Sequence, residues 1–171
     1  MKILIISQYF WPENFRINEI AEFFCQKGNQ VEVLTGVPNY PEGEIFHKFK
    51  SNPEKFDNYK NVKIYRVNNR PRNKGKKIDL FFNYFSFFFR AISFCFFKLK
   101  RKNYDLIFSF GTSPVTNSLI GVFLSKFTKS KKVTWVLDLW PEIVFELNIL
   151  NSKILRVLFI KLMNLTYNSN N

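Results

Sequence analysis

The chain has 171 residues, 46% apolar and 23% charged, a balance that excludes a disordered tail or a fibrous repeat and fits one globular core. Its two cysteines, Cys25 and Cys95, have no CxxC or Cys/His spacing around them, which excludes a disulfide framework and a zinc site and fits a reducing compartment. The net charge of +13 calls for an anionic partner, whether nucleic acid, an acidic membrane surface or a phosphorylated substrate, while the 22 Phe are equally well explained by base composition of the source genome.

Lys2 to Ser7 is a short Ile-rich run followed by polar residues, which predicts a buried parallel strand instead of a signal peptide and hence a cytoplasmic protein. From Phe15 to Lys27 the apolar positions Ile17, Ile20, Ala21, Phe24 and Cys25 recur at spacings of three and four, and Gly28-Asn29 ends the helix they predict. Val31 to Leu34 gives a second strand. Gly36 to Tyr59 contains Pro38, Pro41, Gly43 and Pro53 and reads as a long loop with at most a helical turn. Val62 to Val67 alternates as a third strand, and Asn68 to Lys77 is a basic loop carrying Arg70, Arg72, Lys74, Lys76 and Lys77.

Ile78 to Lys98 is almost continuously apolar and about as long as the ~20 residues that cross a bilayer. Asn83, Ser86, Arg90 and Ser93 step by three, four and three along it, a narrow polar stripe on a helix otherwise covered by Phe. A central Arg costs roughly 2.5 to 3.5 kcal/mol on insertion. The favoured reading is a helix buried in the domain or lying in a membrane interface, ahead of a true span. Tyr104 to Phe110 then predicts a strand, Pro114 to Phe127 a helix, Val133 to Leu137 a strand and Leu155 to Tyr167 a last amphipathic helix.

This alternation predicts an α/β fold, a Rossmann-like doubly wound and mostly parallel sheet with helices on both faces. Ligands in such sheets bind at the carboxyl ends of the strands. That rule selects Gln8 to Asn14, Gly36 to Tyr40, Gly111 to Ser113 and Asp138 to Glu142.

The local feature with most chemistry is Asp138-Leu139-Trp140-Pro141-Glu142, two carboxylates around an aromatic and a proline directly after a strand. They suit a general base and a hydroxyl-binding acid. The plainer reading makes Asp138 a helix cap and Glu142 a first-turn acid. Thr112 and Ser113 precede a helix whose free N–H groups suit phosphate, although an ordinary Ser-Pro helix start explains them better. Asn39 and Tyr40 could grip a sugar or simply form a turn, and Glu13 and Asn14 close an aromatic run at the same edge. His47 reads as an exposed bystander, with no metal site implied. GxGxxG, GxxxxGK[ST] and GxSxG are absent, which removes the common dinucleotide, P-loop and hydrolase uses of this fold.

The segments Ser7-Gln8-Tyr9-Phe10-Trp11-Pro12-Glu13-Asn14-Phe15-Arg16-Ile17-Asn18, Leu34-Thr35-Gly36-Val37-Pro38-Asn39-Tyr40-Pro41-Glu42-Gly43 and Asp138-Leu139-Trp140-Pro141-Glu142 together resemble the amino-terminal domain of family 4 bacterial glycosyltransferases of the O-antigen and capsule type. The resemblance runs from Met1 to about Tyr167. It implies that residues 1–171 are one half of a GT-B fold, the acceptor-side domain of a metal-independent transferase. That enzyme would pass a sugar from a nucleotide-sugar donor to a polyprenyl-diphosphate-linked acceptor in surface polysaccharide synthesis. It implies Asp138 and Glu142 as catalytic candidates and Glu13, Asn14, Asn39, Tyr40, Thr112 and Ser113 as substrate-binding ones, with no cofactor and no metal. Many relatives carry His-Asp where this chain has Leu137-Asp138, so no histidine role carries over.

The resemblance also implies that the donor-binding carboxyl-terminal domain is missing, through truncation, a frameshift or a separate donor-binding polypeptide, and that the chain alone is inactive. The other reading is a non-catalytic membrane-docking subunit or a gene remnant. Arg70, Arg72, Lys74, Lys76 and Lys77 are expected to face an anionic membrane, with the chain peripheral on the cytoplasmic side of the inner membrane. Nucleic acid is not expected as a partner, since no recognition helix or aromatic sheet motif is present.

Overall fold

A computed structural model of the chain describes residues 1–111, 115–138 and 152–168, without the side chains of Leu155 and Leu165. The elements in order are β1 (Lys2–Ile6), α1 (Arg16–Gln26), β2 (Gln30–Gly36), α2 (His47–Ser51), a 3-10 turn (Pro53–Phe56), β3 (Asn58–Tyr59), β4 (Val62–Val67), α3 (Lys77–Phe94) with a π turn (Cys95–Leu99), β5 (Leu106–Gly111), α4 (Thr116–Thr128), β6 (Lys131–Val136) and α5 (Lys153–Asn168).

The strands form a sheet in the order β3-β4-β2-β1-β5-β6. All neighbours are parallel except the short β3, which runs antiparallel to β4. Setting β3 aside, this is the order of a doubly wound Rossmann half, whose direction of winding reverses between β1 and β5. The fold is therefore the α/β, Rossmann-like, mostly parallel sheet that the alternation predicts.

Period-two alternation builds the two cores. Leu4 and Ile6 of β1 face one side, where they meet Leu34, Phe87, Ala91, Ile107, Ile120 and Leu124 under α3 and α4. Ile3 and Ile5 face the other, against Phe10, Ile17, Ala21, Val33, Ile64 and Phe108 under α1. At roughly 25 cal/mol per Å2 of apolar area, these two layers are the main source of stability.

The sequence departs from the structure in three places. The segment from Gly36 to Tyr59 is more than a loop, since it holds α2, a 3-10 turn and the edge strand β3. β6 starts at Lys131, two residues before the predicted Val133, because Lys131 and Lys132 pair with Leu106 and Ile107. Lys132 is buried, its Nζ donating to the Thr166 carbonyl at 2.8 Å, and burial lowers the amine to about 8. A lysine in a strand reads as solvent-facing in sequence, and the return of α5 brings it an acceptor that the sequence does not announce.

The third departure concerns α3. Asn83, Phe87, Ala91 and Cys95, each four residues after the last, are buried against the sheet. The expected polar stripe is thereby split, with Asn83 inside the domain and Arg90 in solvent. Among the described residues, Lys77–Leu99 is the one helix long and apolar enough to cross a membrane, yet its buried stripe fixes it to the sheet. Burial raises the Cys95 thiol to about 12.

Candidate functional site

The carboxyl ends of β1, β2, β4, β5 and β6 open on one edge, and the loops after β1, β2 and β4 are tied together by buried polar side chains. Glu13, in the loop after β1, reaches under the loop after β2. Its Oε1 accepts the backbone N–H of Asn39 at 2.8 Å and of Tyr40 at 2.7 Å, and its Oε2 accepts that of Phe10 at 3.3 Å. Burial lifts this carboxyl to about 7, with the three amides and Arg66 holding it lower than burial alone would. Glu13 is thus occupied as a brace beneath the edge.

Asn39 is fully buried and continues the brace. Its Nδ2 donates to the Val37 carbonyl at 2.8 Å, and its Oδ1 accepts the Arg72 backbone N–H at 3.0 Å. Asn83 of α3 joins a third element. Its Oδ1 accepts from Gln8 Nε2 at 2.7 Å and from the Tyr9 hydroxyl at 3.2 Å, while its Nδ2 donates to the Arg70 carbonyl at 2.6 Å.

The surface carried by this frame is aromatic and cationic. Tyr9 stacks on Phe15 with ring centroids 5.3 Å apart, and Tyr40 leans on both. The Arg72 guanidinium lies 4.9 Å from the Tyr40 ring and 5.8 Å from that of Tyr9. Tyr84 of α3 belongs to the same cluster. Burial raises its phenol, Arg72 opposes the shift, and Asp138 and Tyr40 add to it. Asp138, half-buried after β6, therefore acts electrostatically on a residue that also feels Arg72. A cation over an aromatic face, with phenol hydroxyls and a carboxylate close by, can hold a phosphate and a sugar ring and can accept a proton from a hydroxyl.

Of the residues singled out in the sequence, the structure brings Tyr40, Asn39, Glu13 and Asp138 to this edge, and Asn14 is exposed at its rim. Thr112, Ser113 and Glu142 lie outside the described residues. The basic set divides. Lys74, Lys76 and Lys77 are exposed, Arg70 lies 5.0 Å over the ring of Phe82, and Arg72 turns inward to the tyrosines. Arg72 thus stands apart from the membrane-facing group in which its neighbours in sequence place it.

Arg66 was missed. It donates to the Gly36 carbonyl at 2.9 Å, to that of Phe56 at 3.3 Å and to that of Trp11, and burial lowers it to about 10. The signal was available, because Val62, Ile64 and Arg66 share one face of β4 and two of the three are core residues.

No protein-family profile matches the chain, and no curated relative does. Among solved structures, it is similar to the C-terminal domain of a hydrogenase from Pyrococcus furiosus, 22% identical with a TM-score of 0.50, over 78% of this chain and 89% of that one. A protein assigned as a UDP-N-acetylglucosamine 2-epimerase from Listeria monocytogenes is 12% identical with a TM-score of 0.46, over 78% of this chain and 30% of that one. The likeness to the first is one of fold, an α/β Rossmann-like domain.

Proposed function

We propose that this domain is the acceptor-side half of a GT-B sugar transferase that builds surface polysaccharide on a polyprenyl-diphosphate-linked acceptor. The observation that carries the reading is the Arg72 guanidinium 4.9 Å over Tyr40, in electrostatic company with Tyr84 and Asp138 at the ligand edge of a parallel sheet. Of the residues quoted above for the family resemblance, Tyr9, Glu13, Asn39, Tyr40 and Asp138 stand at the same edge.

In this reading Arg72 pairs with the acceptor diphosphate and Tyr40 stacks against its sugar. Asp138 takes the proton of the acceptor hydroxyl as its oxygen bonds to the donor's anomeric carbon and the nucleotide diphosphate leaves. Glu13 and Asn39 are positioning residues, since their polar atoms are spent on backbone. The donor nucleotide sugar belongs to a second domain facing this edge, and no metal or cofactor is required.

The test is equilibrium binding of farnesyl diphosphate, a short mimic of the acceptor's lipid diphosphate, to the wild-type chain and to Arg72→Ala. Loss of a charge-assisted phosphate contact predicts about a tenfold or greater weakening. Equal affinities would remove Arg72 from the site and the proposal with it.

A further inference from the structure

β6 is the last strand on its side of the sheet, and among the described residues its one strand neighbour is β5. The backbone N–H groups of Lys131 and Leu137 donate inward, to the carbonyls of Asp105 and Gly111, each at 3.2 Å. By the two-residue period, the N–H and C=O groups of Thr134 and Val136 point outward, where no strand meets them. Val133-Thr134-Trp135-Val136-Leu137 is the near-continuous apolar run of a parallel strand covered on both faces, yet Val133, Trp135 and Leu137 are 44%, 40% and 46% exposed. The apolar face of the sheet runs from Phe108 and Phe110, whose rings meet Trp135 edge-on at 6.3 and 6.2 Å, and then ends in solvent. Edge strands ordinarily carry a mid-strand charge that keeps other strands away, and β6 has none between Lys132 and Asp138.

A helix shares this exposure. α5 is held over β6 by the Lys132–Thr166 hydrogen bond, and its Tyr167 lines a small cavity with Thr134 and Val136. It buries Met163 and Thr166 while Val157, Leu158 and Ile160 stay in solvent. The open apolar surface therefore passes from the strand onto its helix. The two ends of the strand differ in charge, with Lys129 and Lys131 at the amino end and Asp138 at the carboxyl end.

We infer that β6 pairs antiparallel with β6 of a second copy, joining the two sheets into one. The charge pattern selects both the occupant and its direction. Antiparallel pairing about a twofold axis sets the Lys131 end of each strand against the Asp138 end of the other, and does so twice, whereas parallel pairing would align like charges. When Thr134 exchanges backbone hydrogen bonds with Val136 of the second copy, Trp135 lies beside its own counterpart at the axis, a favourable cross-strand aromatic pair. The two α5 helices then flank the joined strands. This inference does not depend on the chemistry assigned to the cleft.

Sedimentation equilibrium of the full chain tests it, and the wild type should be a dimer. Val133→Lys/Leu137→Lys should weaken association at least about tenfold. Phe85→Lys/Phe89→Lys, the same loss of exposed apolar surface and the same gain of charge on α3, should leave most of it. Lys131→Glu should weaken association about tenfold because the altered contact occurs twice, and Lys131→Glu/Asp138→Lys, which exchanges the two ends, should restore it. Circular dichroism identifies any variant that fails to fold. Hydrogen exchange of the wild type needs no variant, since the Thr134 and Val136 amides should slow as protein concentration rises. A monomer at every concentration, a dimer whose Thr134 and Val136 amides exchange freely, equal loss in the β6 and α3 lysine variants, or a folded exchanged-end variant that stays as weak as Lys131→Glu would each overturn the inference.

Discussion

The backbone N–H of Asn39 donates to Glu13 Oε1 at 2.8 Å across 26 residues of sequence, joining the loop after β1 to the loop after β2 at the carboxyl edge of the sheet. The acceptor is a buried carboxyl raised from 4.5 to about 7, so the unfolded chain loses this proton first. Between those two values the folded state holds more protons than the unfolded one. Glu13 therefore contributes most stability below about pH 4.5, and that contribution falls as pH rises to about 7, by on the order of 3 kcal/mol. Glu13→Gln retains an oxygen for Asn39 and Tyr40 but does not titrate. Urea unfolding at pH 5 and pH 8 should show the variant gaining stability on the wild type as pH rises, and parallel pH profiles would contradict the assignment.

Asn83 connects α3 to the loops after β1 and β4 through three hydrogen bonds while fully buried. Asn83→Ala strands Gln8, the Tyr9 hydroxyl and the Arg70 carbonyl, a loss of roughly 2–4 kcal/mol. Denaturant unfolding measures it. A cost below about 0.5 kcal/mol would mean that these partners find water instead.

Gly43 holds φ at +84°, and a Cβ there would lie 1.6 Å from the Asn73 carbonyl oxygen, where Gly43 and Asn73 already share a backbone hydrogen bond of 2.8 Å. Gly75 has a similar φ of +70° but open space around it. Gly75→Ala should cost about 1 kcal/mol from backbone conformation alone, and Gly43→Ala well above 2 kcal/mol because backbone must move. Thermal melts of the two variants separate strain from collision, and equal shifts in Tm would show that the loop from Asn39 yields freely.

The parallel strands, α1, α4 and the edge where the strands' carboxyl ends meet were legible because they depend on period and on a topological rule that local sequence carries. Ile3 and Ile5 alternate with Leu4 and Ile6, and the two sets go to opposite cores. The edge strand β3 was not legible, since two residues, Asn58 and Tyr59, carry no pattern until β4 pairs with them. The layout of the candidate site was legible in part. Asp138 and Tyr40 follow from strand ends, whereas the partnership of Arg72 with Tyr40 crosses 32 positions and is set by Asn39 holding the Arg72 backbone. A run such as Arg70-Pro71-Arg72-Asn73-Lys74 looks uniform in sequence, and its members separate only when Tyr9 and Tyr40 offer faces to one of them.

The most direct test of the acceptor-side reading is amide and side-chain chemical-shift mapping of the isotope-labelled chain with farnesyl diphosphate and, separately, with UDP. The account predicts that farnesyl diphosphate shifts Tyr9, Tyr40, Arg72 and Tyr84, that Asp138 responds with them, and that UDP leaves this edge unchanged. Shifts at the same residues with UDP, or none there with farnesyl diphosphate, would contradict it.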